Sequence, residues 1–360
     1  MREEWINRIA MSMVLRNKLR NAHMLLDHYG SATEAIAQRR DVFDGNIREA
    51  QEKAQKELEF IEKHQIQPYF YKDEHYPYRL AQCVDAPIVL YAKGDMNINP
   101  KHAVSIVGTR IPSESGKDWC RRLVLDLAAQ VPDLTIISGL AYGIDVTAHR
   151  AAIEAGIPTI IIPAHGLDRI YPAVHRNTAI EALKNGGILT EYPSNTTPER
   201  FNFVARNRIV AGMADAVVVV ESKAKGGSLI TADMAIDYGR DVFALPGRYN
   251  DSVSEGCNNL IKNQRAQLIT NATDLVRAMQ WETTAKVEQQ MQMVELLHDL
   301  TPTQQLLLEK MREGDGSWHI NLLVMETQLT YTQVVSELMM MEINGVVKGM
   351  PGGMWRIIEA

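Results

Sequence analysis

VSIVGTR at residues 104–110 and TIISGLAYGID at residues 135–145 each join an apolar strand to a glycine-containing turn. A segment with helical spacing follows each turn. In an open parallel sheet such turns lie at the carboxyl ends of the strands, where ligands bind. Glycine lets backbone N–H groups approach an anion closely, and a following helix N-terminus favours negative charge. Because Arg110 adds a guanidinium suited to phosphate, the sequence predicts a phosphate-binding surface.

The pattern of strands and helices extends from these two turns through the middle of the chain. Strands are predicted at residues 103–107, 134–138, 158–162, 187–190, 216–220, 241–244 and 266–269. Helices are predicted between them, at residues 116–130, 143–155, 172–185, 199–213, 228–238, 256–262 and 273–279. Strands that alternate with helices of this length indicate an α/β class and a doubly wound parallel sheet.

The flanking regions have different patterns, which predicts four segments in the 360-residue chain. Residues 1–75 are predicted to be a helical domain of the SAM or helix-hairpin-helix kind, and residues 76–280 the core. Within the core, IVLYAKG at residues 88–94 is expected to be a strand at the edge of the sheet. Residues 281–300 are rich in Gln and Glu and are predicted to be a linker.

Residues 301–360 are predicted to form three helices followed by a β-hairpin, the order of a winged helix. Winged helices often bind DNA. This one has a net charge of −3, and its third helix carries Glu337 and Glu342 without a Lys or Arg. We therefore expect this domain to contact a protein rather than to read DNA.

Composition narrows the classes of function. The net charge of −6 excludes bulk attraction to nucleic acid, although residues 101–250 carry a net charge of +1. The three cysteines have neither metal-site nor disulfide-framework spacing, and no membrane span or signal sequence is expected, so a cytoplasmic protein is predicted. No G-x-G-x-x-G, Walker A or His-carboxylate cluster is present, so neither cofactor nor metal is expected.

Further phosphate-binding candidates follow the later strands. Arg169, His175 and Arg176 lie in the loop after residue 162, and FNFVARNRIVAG at residues 201–212 presents Arg206, Asn207 and Arg208. Next, Gly227, Ser228 and Thr231 open a helix, with Lys223 and Lys225 before it. So many loops favour a chain of several phosphates over one mononucleotide, and Phe201 or Tyr171 is a candidate for stacking on a base.

The acidic residues allow both a structural and a catalytic interpretation. Asp145 and His149 lie one helical turn apart, as an acid–base pair would, or as a helix-start Asp bonded to a nearby His. An alternative function is hydrolysis of nucleoside monophosphates at the glycosidic bond, with Glu191, Glu221 or Asp145 as the carboxylate. Such hydrolases carry a PGG-x-GT-x-x-E pattern, which is missing here because Pro-Gly-Gly occurs only at residues 351–353.

The combination of motifs resembles the DNA-processing protein A (DprA/Smf) family. The ordered matches over residues 80–280 are SIVGTR, SGLAYGID, AHRAA, GLDRIYP, TEYPS, F-x-x-RNRIVAG, VVVVES, GGSLITA, VFALPG and GCNNLI. The resemblance implies an extended Rossmann-like core that binds single-stranded DNA, forms a homodimer and is not an enzyme. It also implies that the protein protects incoming strands and loads the RecA recombinase during natural transformation.

The resemblance also assigns site residues by motif. The implied DNA-binding residues are Gly108, Thr109, Arg110, Ser138, Gly139, Arg206, Asn207, Arg208, Gly227, Ser228 and Thr231. The family's Lys-Ser-Gly-Ser run is Lys-Gly-Gly-Ser at residues 225–228, and Arg176 replaces a DNA-contacting Lys. Dimer contacts are implied around Leu260, Ile261 and Ile269, where KNQRAQLI departs from the family pattern.

Overall fold

The computed structural model describes residues 2–43, 46–281, 300–313, 317–344, 346–350 and 352–357. These residues fall into two compact units, at residues 1–281 and 282–360. The expected linker at residues 281–300 lies, apart from its two end residues, outside the described residues.

The first unit is built on a nine-stranded sheet. Its strands are β1 (Gln67–Phe70), β2 (Val89–Lys93), β3 (His102–Val107), β4 (Leu134–Ser138), β5 (Thr159–Ile161), β6 (Gly186–Thr190), β7 (Ala216–Val219), β8 (Asp241–Ala244) and β9 (Gln267–Leu268). They lie in the order β1-β2-β6-β5-β4-β3-β7-β8-β9. Strands β3 to β9 are parallel, whereas β1 and β2 pair antiparallel.

Helices cover both faces of this sheet. They are α6 (Tyr78–Ala81), α7 (Glu114–Gln130), α8 (Ile144–Glu154), α9 (Arg176–Ala182), α10 (Arg200–Gly212), α11 (Gly227–Asp237), α12 (Glu255–Lys262) and α13 (Ala272–Ala278). One apolar core lies under α7, α8 and α13, and another lies under α6, α10, α11 and α12. The fully buried parallel strands are therefore continuous apolar runs, as two-sided burial requires. The predicted doubly wound α/β class is confirmed.

Five helices precede the sheet and pack on its β1–β2 end. They are α1 (Arg2–Val14), α2 (Leu19–Tyr29), α3 (Ala32–Gln38), α4 (Arg40–Phe43) and α5 (Ile47–His64). Their buried side chains share a core with Phe70, Val89 and Tyr91 of the first two strands. The helical segment thus continues into the sheet within one compact unit.

Two expectations for this end of the sheet were wrong. Residues 67–70, expected to be helical, form the edge strand β1, and β2, expected at the edge, lies one strand inside it. The strand is only four residues long and contains Pro68, which an edge strand tolerates. So short a run with a proline gives almost no periodic signal.

The second unit contains α14 (Pro302–Arg312), α15 (Ile320–Thr327) and α16 (Tyr331–Ile343). Its three strands are β10 (Ser317–His319), β11 (Val347–Met350) and β12 (Met354–Ile357), with β12 in the middle. Capping boxes at Thr301 and Thr330 begin α14 and α16. This is the predicted winged-helix order, with the addition of β10, which the sequence reading did not include.

Candidate functional site

A large cleft of the first unit lies where the sheet reverses its strand order. From β3 the chain builds outward through β4, β5 and β6, then returns to place β7 on the other side of β3. Such a switch point opens a crevice at the carboxyl ends of the strands. Here the cleft has a volume of about 650 Å³. Besides apolar side chains, its lining comprises Gly108, Thr109, Arg110, Asp145, Arg200, Arg206, Asn207, Ser222, Lys223, Lys225, Gly226, Gly227, Ser228 and Thr231.

The loop after β3 is held in place by Glu221, at the end of β7. The Thr109 N–H donates to the Glu221 carbonyl oxygen at 2.7 Å. Ser113, the N-cap of α7, donates to the Glu221 carboxylate from its N–H at 2.9 Å and its hydroxyl at 2.5 Å. A Cβ on Gly116 would lie 2.5 Å from the carboxyl carbon. Glu221 therefore fixes the shape of the Gly-Thr-Arg loop.

The two turns that decide the fold also touch each other through their backbones. Gly143 has φ +81°, and a Cβ there would lie 2.7 Å from the Arg110 carbonyl carbon. The Ile144 N–H donates to the Thr109 carbonyl oxygen at 3.2 Å. Since only glycine has both this dihedral freedom and this small size, Gly143 lets the two loops form one continuous wall of the cleft.

Arg206 is buried and bridges the ends of two strands. Its Nη1 donates to the carbonyl oxygen of Gly139 at 2.7 Å and also to that of Ile162. A Cβ on Gly139 would lie 2.6 Å from the Arg206 guanidinium carbon, so this glycine makes room for the guanidinium. Burial lowers the pKa of Arg206, which the nearby Asp145 partly offsets. Arg206 thus ties α10 to the loops after β4 and β5, and its Nε is buried without a partner among the described residues.

The N-terminus of α11 forms the opposite wall. The preceding turn is closed by a hydrogen bond from the Gly226 N–H to the Lys223 carbonyl oxygen at 3.0 Å, and no side chain caps the helix. Ser228 donates its hydroxyl to the Ser222 hydroxyl at 2.9 Å, so it shapes the turn. A Cβ on Gly227 would meet nothing within 4 Å. This wall therefore offers first-turn N–H groups beside two exposed lysines, Lys223 and Lys225, an arrangement that favours an anion.

A cation and two aromatic rings form a ledge at the mouth of the cleft. The exposed Arg110 places its guanidinium 5.4 Å from the Phe203 ring centroid, and the Tyr171 ring lies 5.9 Å from that of Phe203. Tyr171 is about half exposed. A planar, partly open surface beside a guanidinium suits a base next to its phosphate.

Several predicted residues lie elsewhere. Ser138 is buried and donates its hydroxyl to the Ile106 carbonyl oxygen at 2.6 Å, which joins β4 to β3. Arg208 faces away from the cleft and pairs with Glu191 at 2.5 Å. Phe201 is exposed on the same far side of α10. Arg176 is exposed at the start of α9 and does not line the switch-point cleft.

The proposed acid–base pair is not formed. Asp145 accepts a hydrogen bond from the Ala141 N–H at 3.3 Å, and burial raises its pKa. The imidazole of His149 contacts the Thr159 hydroxyl at 2.7 Å, and burial lowers its pKa to about 3. The two side chains thus have separate partners, and each carboxylate considered for hydrolysis (Asp145, Glu191 and Glu221) has a structural hydrogen bond.

The predicted dimer residues are mostly internal. Leu260 and Ile269 belong to the two cores on either face of the sheet, with 5% and 0% exposure. Ile261 is half-buried, and Leu268 on the edge strand β9 is 46% exposed. In this region Ile261, Ala266 and Leu268 are the apolar residues that are not fully buried within the subunit.

Metal-ligand clusters and membrane-spanning helices are both absent from the described residues. The described part of the chain contains no group of three or more His, Cys, Asp or Glu side chains arranged to hold a metal ion. Among the helices of the described ranges, none is long and apolar enough to cross a membrane.

Sequence reasoning missed two residues of the cleft as ligands. Arg200 lines it, and Phe203, not Phe201, contacts Arg110. Residues 200, 203 and 206–207 follow one another at helical spacing, so they share one face of α10. That spacing was available in the sequence and distinguishes the cleft face of α10 from the face that carries Phe201 and Arg208.

Glycine-rich loops, a helix N-terminus and basic side chains at a switch point define a Rossmann-like α/β protein with a basic cleft. The family model for DNA recombination-mediator protein A matches residues 67–280, and the DprA winged helix domain model matches residues 294–353. The chain therefore belongs to the DNA-processing protein A (DprA/Smf) family, and the resemblance seen in the sequence is confirmed.

Individual relatives agree with this assignment. The chain is 39% identical to DNA processing protein DprA of Streptococcus pneumoniae over 57% of this chain and 71% of that one. It is 34% identical to protein Smf of Escherichia coli over 80% of this chain and 76% of that one. The solved structure of S. pneumoniae DNA processing protein A covers 73% of this chain and 95% of its own, with a TM-score of 0.62 and 30% identity. The solved structure of the Helicobacter pylori DNA processing protein A, which describes its single-stranded DNA binding mode, covers 60% of this chain and 95% of its own. Its TM-score is 0.54 and its sequence identity is 32%.

Proposed function

We propose that this protein binds single-stranded DNA in the switch-point cleft and acts as a recombination mediator. The observation that carries the proposal is the cleft itself, where Arg110, Arg200, Lys223 and Lys225 surround the uncapped N-terminus of α11. The carboxylate there, Asp145, has a raised pKa because it is buried. The cleft is therefore net cationic in a chain whose overall charge is −6.

Backbone and side-chain groups of the cleft contact different parts of the DNA. Arg110 and the lysines neutralise phosphates, and the first-turn N–H groups of Gly227 and Ser228 in α11 donate to phosphate oxygens. Arg206 and Glu221 shape the walls from inside. The Phe203–Tyr171 ledge stacks on a base, which contributes roughly 1–3 kcal/mol per base without reading its identity. Binding is thus sequence-tolerant and prefers single strands, whose bases are free to stack.

A titration of fluorescent oligo-dT at low and moderate salt, with a duplex of equal length as control, tests this proposal. Tight binding that weakens with salt and prefers the single strand is the expected result. Equal or stronger binding of the duplex, or no binding at low salt, would contradict it.

We further propose that bound strands are protected from nucleases and transferred to the RecA recombinase during natural transformation. Membership of the DNA recombination-mediator protein A family supports this role. A homodimer, with Ile261 and Leu268 near its interface, would place two clefts on one strand and raise avidity. Faster assembly of RecA filaments on single-stranded DNA in the presence of this protein is the expected result, and no change in the rate of assembly would count against it.

Binding rather than catalysis is the function that the carboxylates favour. Glu221 and Glu191 are occupied by Ser113 and Arg208, and neither faces open space in the cleft as a nucleophile would. An assay for adenine released from AMP should give no signal above a protein-free control. Release of the base would move the glycosidase alternative to first place.

A further inference from the structure

A second basic cavity lies across α10 from the switch-point cleft. It has a volume of about 380 Å³ and is formed by the α1–α2 connection, the end of β6 and the far side of α10. We call it the α2 cavity; its basic lining residues are Arg16, Lys18, Arg20 and Arg208. Both cavities belong to the first compact unit, so α10 is a fixed ridge between them.

The α2 cavity contains a buried cation with unused hydrogen-bonding capacity. Arg208 is only 7% exposed, and its Nη2 donates to Glu191 at 2.5 Å. Its Nη1 is buried and has no hydrogen-bond partner among the described residues. Leaving a buried guanidinium N–H without an acceptor is costly, so the position is suited to an anionic oxygen.

The charges around Arg208 leave the cavity net positive. Two carboxylates also line it, and both are engaged: Glu191 by Arg208, and Asp85 by the Tyr238 hydroxyl at 2.6 Å. Arg16 donates to Asn202 at 2.9 Å and lies 4.1 Å from the Tyr192 ring. Within the described ranges the exposed side chains of Lys18 and Arg20 have no ion pair, at the start of α2, which no side chain caps. Four cations against two engaged carboxylates favour a phosphate.

The spacing of residues on α10 connects the two cavities. Phe201, Ala205 and Arg208 lie at i, i+4 and i+7 and line the α2 cavity, whereas Phe203, Arg206 and Asn207 line the switch-point cleft. One helix with its side chains is about 10–12 Å across, so a strand leaving the first cleft reaches the second after a short crossing. Phe201, 64% exposed, provides a stacking surface on the α2 side.

We propose that the α2 cavity is a second phosphate-binding subsite, which holds the continuation of the single strand bound in the switch-point cleft. This rests on the proposed function of the first cleft. The helical N-terminal segment thereby becomes part of the nucleic-acid surface, and the footprint is longer than the switch-point cleft alone would give.

The test compares oligo-dT of about 6 and about 20 nucleotides, since single-strand sites take roughly 4–16 nucleotides per binding module. The test variant is Lys18→Ala/Arg20→Ala, whose side chains are exposed and unpaired, so the fold should be preserved. The matched control, Arg122→Ala/Lys184→Ala, removes two exposed charges from α7 and from the turn after α9, outside both cavities.

We expect the test variant to bind the short oligonucleotide within about twofold of the unchanged protein and the long one about tenfold more weakly at low salt. Its salt slope for the long strand should fall by about 1.4, since each lost phosphate contact on a single strand removes about 0.7. Equal weakening for both lengths, or a change no larger than in the control, overturns the α2 subsite while leaving the first cleft intact. If the unchanged protein binds neither oligonucleotide, the proposed function itself fails.

Discussion

Arg110 is the residue whose removal should affect DNA binding most directly. Its guanidinium is exposed at the cleft mouth beside the Phe203 ring and has no hydrogen bond or ion pair among the described residues, so Arg110→Ala leaves no buried group unpaired. We expect weaker binding of every sequence and a salt slope lower by about 0.7, the value for one lost phosphate contact on a single strand. Titration of oligo-dT and oligo-dA measures both quantities, with Arg122→Ala as the control. An unchanged slope would show that Arg110 contacts no phosphate.

Two glycines, Gly227 in the cleft and Gly139 behind it, should respond to alanine in opposite ways. At Gly139 a Cβ would collide with the Arg206 guanidinium, whereas at Gly227 it would meet open space. Gly139→Ala should therefore lower the free energy of unfolding by roughly 1–3 kcal/mol, as overpacking does. Gly227→Ala should preserve or slightly raise it, because alanine reduces the entropy of the unfolded chain. Urea unfolding of both variants measures these changes in the free energy of unfolding. Equal effects would contradict the conclusion that Gly139 leaves room for the Arg206 guanidinium.

Residue types in the motifs were predictable, but their partners were not. The sequence identified Arg206 and Arg208 as neighbours with a common role. The structure places them on different faces of α10, with carbonyl oxygens around one and Glu191 beside the other. Those partners come from loops 17 to 67 residues away. A single sequence does not encode such long-range contacts in any local pattern, so the roles of buried arginines had to come from the fold.

At the scale of elements, α8 is joined to β5 and β4 by two consecutive buried hydrogen bonds. The Thr159 hydroxyl donates to the Ile136 carbonyl oxygen at 2.9 Å, so its contact with His149 at 2.7 Å requires a proton on Nδ1 of the imidazole. Burial of the ring disfavours the doubly protonated, charged imidazolium, and the buried Nε2 has no hydrogen-bond partner among the described residues. This arrangement explains in structural terms why the neutral form is favoured.

Acid should therefore weaken the packing of α8 on the sheet. The pKa of His149 is about 3 in the folded protein, below its ordinary value of 6.5. The unfolded chain then binds the additional proton first, so stability is complete above pH 6.5 and falls as the pH decreases toward 3. We expect a loss of up to about 1.4 kcal/mol per pH unit from this group.

Urea unfolding at pH 7 and pH 5 measures this loss, with His149→Gln as the comparison. The variant should be less stable at pH 7 but should lose less stability than the unchanged protein on going to pH 5. Because the pKa values of His23 and His165 are also lowered by burial, some dependence on pH should remain in the variant. Identical changes in the two proteins would contradict the role of His149.

Elements with two-sided burial were the most predictable from sequence. The strands β3 to β8 are short apolar runs that are buried on both faces, and helices of ordinary length separate them along the chain. The alternation of strands and helices was therefore evident from the sequence. The exceptions are short and peripheral: β1 with four residues, and β10 with three, which ends at His319 just before α15. Their formation depends on pairing with β2 and β12, a tertiary contact that no local propensity specifies.

At the scale of the whole molecule, charge is divided between the two units. The first unit concentrates cations around its two cavities, whereas residues 301–360 have a net charge of −3. The third helix of the winged-helix unit, α16, has no Lys or Arg and exposes Met339, Met340 and Ile343. An acidic, methionine-rich helix is a poor reader of DNA and a better surface for another protein.

Removal of residues 282–360 should therefore leave the affinity for single-stranded DNA within about twofold and the salt slope unchanged. The first unit has its own apolar cores, and every residue of the switch-point cleft and the α2 cavity lies within it. Titration of the truncated and intact proteins with the long oligo-dT measures both quantities, and circular dichroism confirms that the first unit folds. A large loss of affinity in a folded truncated protein would mean that the winged-helix unit, despite its charge, takes part in DNA binding. If affinity is preserved while RecA filament assembly slows, the winged-helix unit acts through a protein contact, as its acidic and apolar surface favours.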